Sequence, residues 1–221
     1  MTARLVLATN NQHKLVELTR ILVAAGGPAE LVDLGHFPGA PDVRETGATF
    51  AENALLKARA IAEFTGLPAV ADDSGLCVDA LNGMPGVLSA RWSGAHGDDA
   101  GNLQLVLGQL ADVPEGRRGA RFACSAALAL PSGREHVSEG ALHGRIIHEP
   151  RGTRGFGYDP IFVPDPAELA EAGLTAGGPS GPGSPLVGLT TAELAPDAKD
   201  RISHRGQALR SLAPVVGAWC L

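Results

Sequence analysis

"VADDSGLCVDAL", residues 70 to 81, sets two adjacent carboxylates, Asp72 and Asp73, after the apolar run Leu67 to Ala71. The run reads as a buried strand, and the Ser74-Gly75 step after it as the start of a loop. Charge at such a place is costly unless something neutralises it. Two readings are open. In one, Asp72 caps the turn and Asp73 pairs with Lys57 or Arg91. In the other, the strand ends at a site. Hard oxygen ligands there suit Mg²⁺, and a carboxylate takes a proton from water.

The flanking sequence sets the fold class. "RLVLAT" from Arg4 reads as a buried strand, and "NNQHK" leads into a helix with Leu15, Leu18, Leu22 and Ala25 at helical spacing. Gly26 and Gly27 stop it. "TFAENALLKARAIAEFTG" is a second helix, with Thr49 and Glu52 as a capping box and Gly66 as a left-handed cap. Beyond the Asp pair, "NGMPGV" is a turn cluster, and Asp98 or Asp99 caps a third helix. "ARFACSAALAL" alternates, with Phe122, Cys124, Ala126, Leu128 and Leu130 on one face, and "HVSEGALHGRII" is its partner strand. A short helical piece and a C-terminal helix close the chain. Strands alternate with helices and then two strands come together, which predicts an α/β domain with a mixed sheet. The stretch at about 166–189 is rich in Gly and Pro, and reads as a flexible insertion, most mobile from Gly177 to Pro185.

Composition narrows the function. The chain has 221 residues with 44% hydrophobic and 19% charged content, which fits one domain or two packed lobes of a globular protein. A net charge of −6 argues against a general nucleic-acid binder, but allows a small anion in a local cationic pocket. Cys77, Cys124 and Cys220 suit neither a disulfide framework nor a zinc site and read as reduced thiols. With no apolar run long enough for a bilayer and no signal-peptide pattern, we expect a cytoplasmic protein with no membrane partner.

Other stretches carry candidate chemistry. Thr9, Asn10, Asn11 and Lys14 lie where a strand runs into a helix N-terminus, which binds phosphate well; the plainer reading is an Asn-capped turn. Glu45 precedes the second helix and is a candidate partner of Asp73. "GFGYDP", residues 155–160, combines close backbone approach with an aromatic face for a base, or is a β-turn with core aromatics. In "KDRISHRGQAL", Ser203 is positioned to cap the last helix. That leaves His204 and Arg205 in its first turn, where cations oppose the dipole and suggest a nearby anion.

Together, "TNNxxK", "ETGxTFxENAxxKA", "ADDSGLxVDAL", "GxPGVxSARWSG", "GFGYDPIF" and "ISHRGxAL" resemble the inosine triphosphate pyrophosphatase family (Ham1-like proteins), in the family's order from Leu5 to about Leu212. The resemblance implies an elongated mixed β-sheet flanked by helices, of the Maf/Ham1 type, with two lobes and a central substrate cleft. It implies Mg²⁺-dependent hydrolysis of noncanonical purine nucleoside triphosphates (ITP, dITP, XTP) to monophosphate and pyrophosphate, by a homodimer. Asp73 would be the proton acceptor and a metal ligand, with Glu45 as its metal partner. Thr9, Asn10, Asn11, Gln12, His13 and Lys14 would lie along the triphosphate, and Ser74 would touch substrate. Phe156, Gly157, Tyr158 and Asp159 would hold the base side, while Lys199, His204 and Arg205 close over the nucleotide. Lys57, Asp72 and Arg91 would support the site. The alternatives are a Maf-type pyrophosphatase acting on pyrimidine or modified nucleotides, and a nucleotide sensor without turnover. The link from "GYDPIF" to "TTAEL" is longer than the family's usual one and reads as a lid or a passive loop.

Overall fold

A computed structural model describes residues 4–26, 30–174 and 186–220. Six strands form one sheet in the order β2-β1-β3-β4-β5-β6. They are β1 (Arg4–Leu7), β2 (Glu30–Asp33), β3 (Ala69–Val78), β4 (Gly119–Ala129), β5 (Glu135–Ile146) and β6 (Phe162–Pro164). The helices are α1 (Gln12–Ala24), α2 (Phe50–Thr65), α3 (Asp99–Gln109), α4 (Pro166–Glu171), α5 (Pro196–Ile202) and α6 (His204–Cys220). β1 pairs in parallel with β2 and β3, whereas β5 pairs antiparallel with β6, so the sheet is mixed. The expected α/β class holds.

The chain divides into two compact units. The first comprises Met1–Ser74, Cys124–Gly140 and His204–Leu221. Its strands are covered on both faces. On one face Leu5, Leu7, Val70, Cys124, Ala126 and Leu128 pack with Leu18 and Leu22 of α1 and Leu209 and Leu212 of α6. On the other, Val6, Ala69, Ala71, Ala127 and Ala129 meet Ala54, Ala58, Ile61 and Ala62 of α2. The small residues on this second face bring α2 close to the sheet. Coverage on both sides also explains why β4 alternates only in its first half: Arg121 is exposed between Ala120 and Phe122, but every residue from Cys124 to Ala129 is buried.

The second unit comprises Gly75–Ala123 and Ala141–Ser203. Its core gathers Leu76, Val78, Val106, Leu110, Phe122, Leu142, Ile161 and Phe162, with the Phe122 and Phe162 rings 4.6 Å apart. The buried Arg118 donates to the carbonyls of Leu110 and Ile146, tying the segment after α3 to the end of β5.

Two expectations change. β3 does not end at the Asp pair but runs on to Val78. Gly75 is not a turn residue: a Cβ there would lie 2.4 Å from Ser89 Oγ and from the Gly86 carbonyl, so it serves close packing inside a strand. The insertion expected at about 166–189 begins as helix α4, with Leu169 and Leu174 buried. The part expected to be most mobile, 177–185, lies outside the described residues.

Candidate active site

The pleat of β3 answers the question raised by the Asp pair. Successive strand residues point to opposite faces. Asp72 follows Val70 onto the face covered by α1 and α6, and Asp73 follows Ala69 and Ala71 onto the α2 face. The adjacent charges therefore belong to two separate hydrogen-bonding clusters.

On the α2 face, Asp73 Oδ2 accepts from Asn53 Nδ2 at 3.0 Å, and Lys57 Nζ lies 3.5 Å from Asp73 Oδ1. The same ammonium donates to Glu45 Oε1 at 2.8 Å. One cation thus touches both carboxylates that the sequence nominated. Asn53 and Lys57 are one turn apart on α2, so both face the same patch of β3. The helix is locally well specified. Thr49 Oγ1 accepts from Glu52 N at 3.2 Å, and Gly66 takes the left-handed conformation at φ 67°. Glu52 reaches back to Ala48 N at 2.7 Å, one residue beyond its usual target in a capping box. Burial acts against the Lys57 ammonium, yet Asp73, Asp72 and Glu45 together raise its pKa. An ion pair alone would lower Asp73. Burial, helped by the Glu45 charge, outweighs Lys57 and raises it above the ordinary carboxylate value.

On the other face, Asp72 Oδ2 lies 3.1 Å from Lys14 Nζ and accepts from Arg205 Nε at 3.1 Å. Arg205 also donates to Glu17 and, at 2.9 Å, to Ser74 Oγ. Burial disfavours the Asp72 charge, but Lys14 and Arg205 override it and hold the carboxyl well below the usual range. Asp72 Oδ1 is buried with no hydrogen-bond partner among the described residues. Cys124 borders this cluster. Burial, with the Asp72 charge, pushes its thiol up to about 12, which fits an inert core thiol. Arg205 thus has the nearby anions that its place at a helix start suggested, and they are side chains of the protein. His204 is buried beside it at the start of α6.

The strand-to-helix turn is built as the plainer reading expected. Asn11 caps α1 by accepting from Lys14 N at 3.1 Å, and Thr9 Oγ1 accepts from Asn11 N at 3.2 Å. Asn10, Asn11 and Gln12 are exposed, and His13 is the second residue of α1. Helix-end N–H groups and an exposed polar turn leave this place open to an anion.

In the second unit, Asp159 organises the aromatic loop. It accepts from Phe156 N at 2.9 Å, Thr191 Oγ1 at 2.7 Å and Lys199 Nζ at 2.6 Å. The Lys199 ammonium stands 5.6 Å from the centre of the half-buried Phe156 ring. Gly157 N donates to Asp99 at 2.8 Å, and the buried Tyr158 hydroxyl donates to the Ser89 carbonyl at 2.8 Å. Tyr158 is therefore a core anchor, with burial raising its pKa. Arg91 lies in the short helical turn Gly86–Arg91 of this unit.

Among the described residues no group of three or more His, Cys, Asp or Glu side chains is placed to hold a metal alone. Glu45 and Asp73 nonetheless fit Mg²⁺. They are hard oxygen donors that converge on one cationic point, and Mg²⁺ commonly takes one or two carboxylates plus waters and phosphate oxygens. The sequence reading missed Glu17 and Asn53. The sequence offered only a shared helix face: Glu17 is three residues from Lys14 on α1, and Asn53 is four from Lys57 on α2, while the partners that give them their roles lie far along the chain.

Residues 5–215 match the model of the Ham1 family. The chain belongs to the Ham1 family. The dITP/XTP pyrophosphatase of Streptomyces coelicolor is 57% identical over 213 residues, 96% of each chain. The crystal structure of the nucleoside-triphosphatase / dITP/XTP pyrophosphatase of Mycobacterium abscessus is 51% identical. It matches with a TM-score of 0.70, over 96% of this chain and 99% of that one. The structure of a Ham1 protein from Coxiella burnetii is 39% identical with a TM-score of 0.78, over 98% of this chain and 99% of that one. Among the described residues no helix is long and apolar enough to cross a membrane.

Proposed function

We propose that this Ham1-family chain is a pyrophosphohydrolase of noncanonical purine nucleoside triphosphates, ITP, dITP and XTP. Water adds, the α–β anhydride bond breaks, and monophosphate and pyrophosphate leave. The observation that carries the chemistry is the convergence of Asp73 and Glu45 on one half-buried cationic point. The substrate class is supported by the full-length likeness to dITP/XTP pyrophosphatases.

Each residue has a part in this reading. Asp73, its pKa raised by burial, accepts the proton of the attacking water. Asp73 and Glu45 are the carboxylates that would hold Mg²⁺. Such an ion neutralises phosphate charge and acidifies bound water. The turn Thr9–Lys14 would take the triphosphate with its free N–H groups and polar side chains. Ser74 and Arg205 would set the substrate-facing edge of β3, with Asp72 and Glu17 holding the guanidinium. The Phe156 ring would carry the base side by stacking, on a loop that Asp159 and Lys199 fix. His204 belongs to base reading in this scheme, and Arg91 and Lys57 to its support. Donors aimed at a 6-keto oxygen would accept ITP and XTP and meet the amino group of ATP unfavourably; GTP shares the 6-keto oxygen, so its rejection falls to the 2-position, where it carries an amino group. The resemblance further implies a homodimer working in the cytoplasm, and both belong to the proposal.

Product analysis tests it. ITP and Mg²⁺ with the enzyme should yield inosine monophosphate and pyrophosphate on anion-exchange chromatography. Inosine diphosphate and orthophosphate would contradict the bond assignment, and saturable binding without any product would favour the sensor.

A further inference from the structure

Asn53 is fully buried, yet it sits in the first turn and a half of α2, close to solvent-facing polar residues. Both ends of its side chain are used. Nδ2 donates to Asp73 Oδ2 at 3.0 Å, and Oδ1 accepts from the backbone N–H of Gly47 at 2.7 Å. A carboxylate only accepts and a backbone N–H only donates, so this position needs one donor and one acceptor on a short planar group. A carboxamide meets that need; an aspartate or an apolar residue of the same size does not. The fit is close, since a Cβ on Gly47 would stand 2.8 Å from Asn53 Oδ1 and 2.6 Å from Glu52 Cβ. Gly47 is two residues beyond Glu45. One buried side chain therefore links the strand that carries Asp73 to the segment that carries Glu45. Lys57, a turn along the same helix, touches both carboxylates.

We propose that Asn53 is a positioning residue that fixes Asp73 and Glu45 relative to each other, so that both carboxylates meet one cation. It acts through Asp73 and the Gly47 peptide and touches no substrate. The inference rests on the roles given above to Asp73 and Glu45. Side chains that orient metal-holding carboxylates typically cost about 10–100-fold in activity or metal affinity when removed.

The test uses Asn53→Ala, which breaks both links, and Asn53→Asp, which keeps the acceptor for Gly47 and sets a second carboxyl against Asp73 in place of the amide donor. Each variant is measured for its thermal melt, for kcat and KM with ITP, and for Mn²⁺ binding. The binding is followed by paramagnetic resonance in the presence of an α,β-methylene analogue of ITP. We expect cooperative melts for both variants, kcat lowered about 10–100-fold, KM within about 3-fold, and Mn²⁺ binding weakened about 10-fold or more. A purely structural side chain would lower the melting temperature but leave Mn²⁺ affinity and per-molecule kcat of the folded fraction as they were. That result overturns the proposal, as does failure of both variants to fold. Asp73→Asn is measured alongside. If Asp73→Asn itself retains turnover, the parent reading of the site fails. If Asp73→Asn is inactive while both folded Asn53 variants behave as wild type, only the positioning role fails.

Discussion

Replacing Asp72 by Asn should cost the fold about 3 kcal/mol at pH 7, with little change in shape. Asp72 is buried and is the shared anion of Lys14 and Arg205. Removing one partner of a buried ion pair typically costs about 3–5 kcal/mol, because the other charge stays buried without compensation. Two features place this site at the low end. Arg205 keeps Glu17, and the Lys14 side chain is 16% exposed and can turn toward water. For a chain of this length, about 3 kcal/mol corresponds to roughly 6–12 °C in Tm. The pH dependence carries a definite sign. Lys14 and Arg205 hold the folded pKa of Asp72 below the ordinary aspartate value, so its contribution is fully present above about pH 4 and lost as pH falls toward the folded value. The gap between wild type and Asp72→Asn should therefore be full at pH 7 and should narrow at pH 3. Thermal melts followed by circular dichroism at both values test this. A Tm shift below about 3 °C at pH 7, or a gap that widens on acidification, would show that Asp72 is not the buried anion holding Lys14 and Arg205.

The other expectations concern activity. Asp73→Asn should abolish turnover while the melt stays near that of wild type; near-normal pyrophosphate release would remove Asp73 from the role of proton acceptor. Lys199→Ala leaves the Asp159 carboxylate without its 2.6 Å ammonium partner and loosens the loop bearing Phe156. Losing a hydrogen bond to a charged group costs about 1.5–3 kcal/mol, so KM for ITP should rise about 10- to 100-fold with kcat less affected. An unchanged KM would take Lys199 out of the site.

Local chemistry was readable where one or two neighbouring residues decide it. Thr49 and Gly66 bound α2, Asn11 caps α1, and Asp98 caps α3 through Gly101 N at 2.9 Å. The candidate pair Glu45 and Asp73 was also readable: Asp73 ends an apolar run and needs a neutralising partner, Glu45 stands just before α2, and Lys57 touches both. What the sequence hid depends on contacts distant along the chain. Ser74-Gly75 has the composition of a turn, and only the packing of Ser89 and Gly86 against Gly75 explains why the strand continues. Once β3 continues, its pleat separates Asp72 from Asp73, and that separation could not be deduced from a strand assumed to end at the pair. Asn53 looked like an ordinary polar residue near a helix start; its importance comes from Asp73, twenty residues on, and from the Gly47 peptide. Glu17 of α1 binds Arg205 of the last helix, a partner no neighbour in the sequence announces. Leu169 and Leu174 lie in a Gly/Pro-rich stretch whose composition concealed two core residues.

The proposed function joins metal dependence to selection of deaminated purines. The most direct measurement is pyrophosphate release from ITP, dITP, XTP, GTP, ATP and dTTP, each with and without Mg²⁺. Strong Mg²⁺-dependent release from ITP, dITP and XTP is expected, with little from the others. Release chiefly from dTTP, or equal release from ATP and ITP, would contradict it.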